Sequence, residues 1–92
     1  MKESIRRATS RAAEALAAAP RLAVACHVSP DGAALGSMLG LARAAAAAGK
    51  KAVASFGGPF SVAAQYDFLD RRALIAPEEF PAAPEVMVAV DV

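Results

Sequence analysis

A histidine, an aspartate four positions later and a second aspartate far down the chain give this sequence the means to hold a cation. His27 falls in the apolar run RLAVACHV, Asp31 in the Ser-Pro-Asp-Gly turn that follows, and Asp91 in the apolar run VMVAVDV. One imidazole and two carboxylates make a mixed nitrogen and oxygen donor set, which suits Mn²⁺, Fe²⁺ or Zn²⁺ better than a thiolate-seeking metal. Each residue also has a plainer use. A histidine at a strand end commonly makes a structural hydrogen bond. An aspartate in Pro-Asp-Gly commonly bonds its own backbone, and Asp91 can cap the loop after its strand. What separates the two readings is whether the fold brings the three side chains to one place.

The elements that must do this can be read from periodicity. Ile5, Ala8, Ala12 and Leu16 recur at helical spacing, apart from Arg6, Arg7 and Arg11, and predict an amphipathic helix from about Ser4 until Pro20 stops it, placed to cover a sheet. RLAVACHV is a short apolar run between Pro20 and the SPDG turn and reads as a buried strand. Leu35, Met38, Leu39 and Ala42 repeat the helical pattern through an alanine tract to Gly49, a natural residue to follow a helix end. KKAVASF reads as a second strand stopped at Gly57-Gly58-Pro59, and SVAAQYDFL as a short helix. The proline-broken segment RRALIAPEEFPAAPE contains ALIA as a brief strand. VMVAVDV, rich in valine, reads as a strand buried on both faces of a parallel sheet.

This alternation predicts an α/β fold, with a mostly parallel sheet, helices on both faces and right-handed crossovers. In such sheets ligands bind beyond the carboxyl ends of the strands, where the strand order reverses. If the first and last strands are neighbours, His27, Asp31 and Asp91 converge above that edge.

Composition narrows the setting. Ninety-two residues allow a single unit with one modest core. A net charge of +1 and the lack of a basic tract argue against nucleic-acid binding by phosphate neutralisation alone. The single cysteine, Cys26, cannot form an internal disulfide and fits a reducing, cytoplasmic compartment. The charged N-terminus lacks the apolar stretch of a secretory signal, and nothing approaches the length of a membrane span. An apolar strand ending at Asp91 without a following cap suggests the N-terminal portion of a longer domain.

The segment His27 to Ser37, H-V-S-P-D-G-A-A-L-G-S, resembles the first motif of the DHH (RecJ-like) phosphoesterase family, His-x-x-x-Asp-x-Asp followed by Ala-x-Gly-Ser. The resemblance continues through the helix ending at Gly49-Lys50-Lys51, through Tyr66 to Leu69, similar to the family's Tyr-x-Phe-Leu, and to Asp91, similar to its second motif. The nearest branch is that of the oligoribonucleases (nanoRNases) and pAp phosphatases. The resemblance implies a Rossmann-like catalytic domain, and hydrolysis of short RNA or DNA oligonucleotides or small phosphonucleotides. It also implies a homodimer in the full-length protein and two divalent ions, usually Mn²⁺, with Mg²⁺, Zn²⁺ or Fe²⁺ as alternatives.

By the same resemblance His27, Asp31 and Asp91 hold the first ion, Asp91 bridges to the second, and Gly36 and Ser37 meet a substrate phosphate. The family's second aspartate of the first motif falls at Ala33, which has no donor atom. The Asp-His-His segment that names the family has no counterpart in these 92 residues. These departures predict an inactive chain, and they set a non-catalytic DHH-like module, binding a nucleotide or a partner, beside the enzyme. An ordinary dinucleotide or NTP domain is disfavoured, because the first turn lacks a G-x-G-x-x-G or G-x-x-x-x-G-K-[ST] loop. Cys26 reads as a buried strand residue rather than a nucleophile, and Gly57-Gly58 as a turn.

Overall fold

The computed structural model describes residues 2–91. Helix α1 spans Lys2–Ala18, strand β1 Arg21–Cys26, helix α2 Gly32–Ala47, strand β2 Lys51–Phe56 and strand β3 Met87–Ala89, with single 3₁₀ turns at Ala64–Tyr66 and Pro77–Glu79. The three strands form one sheet in the order β2-β1-β3, and both pairings are parallel. This is the expected α/β architecture with a parallel sheet.

Side-chain alternation along β1 and β2 decides where the core lies. Leu22, Val24 and Cys26 on β1, with Ala54 and Phe56 on β2, face the apolar stripe of α2 formed by Ala34, Leu35, Met38, Leu39, Ala42 and Ala45. Leu35, Met38 and Val24 are the largest fully buried side chains. The small residues of the stripe let the helix axis approach the sheet, and the large ones fill the space between. Gly49 follows the helix end at φ +86°, a left-handed conformation that glycine adopts without a Cβ penalty.

Helix α1 forms, but it does not cover the sheet as its periodicity suggests. It has no buried residue, and Ile5 is 55 % exposed. Its apolar stripe is mostly alanine, and only Leu16, near its end, packs against the core. The helix is held at that end by Lys50, whose Nζ donates to the carbonyls of Ala17 at 2.9 Å and Ala19 at 2.6 Å, where a cation also complements the helix dipole.

Two further expectations change. VMVAVDV contributes only Met87–Ala89 as strand, and its outer residues are exposed rather than buried on both faces. It lies at the sheet edge, so only one side of it is packed. The expected strand extended to Val92, which lies outside the described residues. ALIA makes one parallel bridge, Ala54 to Leu74, and SVAAQYDFL supplies only the 3₁₀ turn Ala64–Tyr66.

No helix among the described residues is long and apolar enough to cross a membrane. The contrast between the two helices is measurable by urea denaturation. Met38→Ala should cost about 2–5 kcal/mol, the usual range for truncating a buried side chain. Ile5→Ala should stay within about 0.5 kcal/mol of the parent, as surface changes do.

Candidate metal centre

Strand β1 sits between β2 and β3, so the chain leaves β1 towards one side and later returns on the other. The carboxyl ends of β1 and β3 therefore flank the point where strand order reverses, the usual ligand position in open α/β sheets. His27 directly follows β1, and Asp91 lies two residues past β3. The sheet register carries them together: Ala25 pairs with Ala89, and the Val90 N–H donates to the Ala25 carbonyl at 2.9 Å. Asp91 then turns out of the strand at φ +50°, a left-handed conformation that aspartate tolerates better than most residues.

The result is a cluster of His27, Asp31 and Asp91 whose ligand atoms lie within 4.8 Å of one another. His27 Nε2 and Asp91 Oδ2 are 3.3 Å apart. On the other side of the ring, Nδ1 lies 2.8 Å from the Val28 carbonyl. A carbonyl only accepts, so Nδ1–H is the donor and the neutral ring presents the Nε2 lone pair to Asp91. Such a backbone contact is the usual way a ligating imidazole is oriented. A lone pair facing a carboxylate calls for a proton or a cation between them. The Val28 carbonyl raises the His27 pKa above its ordinary 6.5, and Asp91 adds to the rise while desolvation opposes it.

The donors fit one ion. With bonds of about 2.1 Å, atoms 3.3 Å apart subtend about 100° at the ion, between the octahedral and tetrahedral angles. Two such bonds span at most ~4.2 Å, less than the 4.8 Å limit of the cluster, so Asp31 has to turn inwards to complete the set. Its Oδ1 accepts the Ala34 N–H at 2.9 Å, which makes Asp31 the N-cap of α2 and leaves the other carboxylate oxygen for a cation. The structural and ligating uses of Asp31 are therefore compatible.

A second ion is poorly provided for. Ala33 is exposed in the first turn of α2 and has no donor, and no other group of three or more such side chains clusters among the described residues. Gly36 and Ser37 are exposed, and a Cβ added at Gly36 would meet nothing within 4 Å, so close packing does not explain this pair. They lie in the second turn of α2, where backbone N–H groups are already bonded within the helix, and only the Ser37 hydroxyl remains for a phosphate. In the first turn of α2 the Ala34 and Leu35 N–H groups are bonded to Asp31, which leaves those of Gly32 and Ala33 at the helix end where anions are favoured.

Sequence reasoning passed over these amides. The Asp-Gly pair starting the helix was the available signal, since an N-cap locates the unsatisfied donors that follow it. Tyr66, which enters the sequence reading only through the Tyr-x-Phe-Leu likeness, has its ring 3.1 Å from where a Gly32 Cβ would stand, closing one side of this helix end. Burial pushes the Cys26 thiol pKa up, and Asp91 and Asp31 add to the rise. Its Sγ donates to the His27 carbonyl at 3.5 Å, so Cys26 is a buried thiol rather than a nucleophile. Arg71 and Arg72 pair with Asp67 and Asp70, as surface loop residues do. No protein-family model matches the chain, and no curated protein matches it.

The two uses of Asp31 separate by substitution. Asp31→Asn keeps a good N-cap and should change stability by only a few tenths of a kcal/mol, whereas Asp31→Ala should cost about 1 kcal/mol; both should weaken divalent-ion binding measured by calorimetry. The raised pKa of His27 has a sign that NMR titration can check. Protonated His27 is favoured by folding, so its contribution to stability is present below pH 6.5 and is lost as pH rises through the raised value. A cation must displace that proton, so metal affinity should run the opposite way and strengthen over the same window. In Asp91→Asn the His27 pKa should fall part of the way, because the Val28 contact remains.

Proposed function

We propose that this chain carries the first-ion edge of a DHH-type phosphoesterase domain, acting on short oligonucleotides or small phosphonucleotides such as pAp, in the cytoplasm. The observation that carries the reading is the convergence of His27 and Asp91, separated by 64 positions in sequence, at 3.3 Å beside Asp31. That juxtaposition matches the ligand set which the resemblance of His27 to Ser37 and of the Asp91 strand implies. His27 Nε2, Asp31 and Asp91 would hold one ion; the mixed donors suit Mn²⁺, Fe²⁺ or Zn²⁺, and the resemblance favours Mn²⁺ among them. When bound, such an ion polarises a phosphoryl oxygen and lowers the pKa of a coordinated water. The chain's own residues position the rest: Val28 fixes the ring of His27, the Asp31 cap fixes the start of α2, and the Gly32 and Ala33 amides would be the donors to an anionic group at that end.

A second reading, a non-catalytic module of the same fold that binds a nucleotide or a partner, is favoured by Ala33. Removing a carboxylate from a paired-ion site takes away charge that offsets the repulsion between two dications. The two readings part in one experiment, made in the longest natural reading frame containing the chain. Release of mononucleotide from a short RNA is followed with Mn²⁺ and with chelator, for the parent, for Ala33→Asp and for Ala33→Asp with His27→Ala. The parent should be inactive. Ala33→Asp should raise Mn²⁺-dependent hydrolysis by about 10²–10³, the usual worth of one transition-state stabiliser, and His27→Ala should abolish the gain. Equal, full activity in the parent and in Ala33→Asp would remove position 33 from the metal site and the motif match with it.

A further inference from the structure

On the sheet face opposite α2, at the same carboxyl edge as the metal centre, lies a cavity of 240 Å³. Its floor is Ala25 and Ser55, which pair across β1 and β2, with Met87 of β3 beside them, and its walls are Pro77 and Phe80 with Phe56 at one end. Ala54 and Phe56 belong to the core under α2, so strand alternation turns Ser55 towards the cavity. Ser55 is 2 % exposed, and its Oγ is buried with no hydrogen-bond partner. An unsatisfied buried hydroxyl is costly because its hydration is lost with nothing in exchange, and native structures seldom carry one without a reason. Water is a poor remedy, because a held water needs about 2–4 polar partners and, apart from the weakly polar Cys26 thiol, the other lining side chains are those of alanine, phenylalanine, proline and methionine.

We propose that the cavity is a slot for a planar heteroaromatic ring of the nucleobase class. A flat ring fits between Phe80 and the small-residue floor, with stacking on the aromatic wall and contact with the Met87 sulfur. A ring heteroatom then meets the Ser55 hydroxyl, after a change between staggered rotamers within the same face. The volume is below the ~300–1,000 Å³ of drug-sized sites, which favours one ring system over a dinucleotide. Ala25 precedes His27 by two residues, about 7 Å along a strand, so a ring in the slot and a phosphoryl group at His27 and Asp91 are within reach of one nucleotide. The placement of the phosphoryl half rests on the metal reading above; the ring half does not.

Adenosine, which has no phosphate, is therefore the probe, titrated into the chain with chelator present while backbone and methyl NMR shifts are followed. Adenosine should shift the signals of Ala25, Ser55 and Met87. Ser55→Ala should weaken the binding about two- to tenfold, the worth of one hydrogen bond, without loss of fold, because it removes an unsatisfied group. Ala25→Leu, which fills the floor, should abolish binding. Absence of shifts at these three residues up to the solubility of adenosine overturns the slot, as does an unchanged affinity in Ser55→Ala. Because no metal is present, a failure here is distinct from a failure of His27 and Asp91 to bind Mn²⁺.

Discussion

Strand β1 hydrogen-bonds β2 on one side and β3 on the other, all three running the same way, and the remaining features of the carboxyl edge depend on that ladder. Parallel pairing sends every strand out of the sheet at the same edge, so residues from distant parts of the chain arrive together there, at the cost of the long crossovers through α2 and through the segment between β2 and β3. The ladder also fixes register. With Ala25 opposite both Ser55 and Ala89, a shift of one residue in β3 would turn Asp91 to the other face and leave His27 facing nothing. Fully buried Val24 anchors this arrangement from the α2 side.

Asp31 joins the edge to the core. Its carboxylate closes the first turn of α2 through Ala34, and Ala34 and Leu35 are the first residues of the buried stripe. The same side chain therefore contributes to helix formation and to the negative field at His27. A carboxylate shared in this way is restrained through one oxygen and free at the other, which would limit the ordering cost of closing it around a cation. His27 and Asp91 already stand at a spacing that one cation could bridge, and Asp31 would have to close on them.

Much of this was legible in the sequence because it rests on periodicity and on the ends of apolar runs. The strands at Arg21 and Lys51, the long second helix and the left-handed Gly49 follow from local patterns, and the strand-end rule points to His27, Asp31 and Asp91 without any distance. What was not legible depends on neighbours. An alanine stripe such as Ala8 and Ala12 marks a helix face without saying whether anything lies against it, and VMVAVDV looks the same at the centre of a sheet as at its edge. The isolated hydroxyl of Ser55 and the ring of Tyr66 over Gly32 arise from contacts between segments far apart in sequence, for which a single strand or turn holds no signal.

Helix α1 touches the body of the protein through Leu16 and the Lys50 contacts at its last turn, while the rest of its length faces water. A segment attached at one end opens as its own cooperative unit, independently of the sheet. Amide hydrogen exchange along α1 would then follow a gradient, slow beside Ala17 and fast towards Lys2, set by the helix–coil equilibrium of the peptide itself rather than by the global unfolding of the domain. The N-terminal third of α1 thus has a local stability separable from that of the edge where His27 and Asp91 meet.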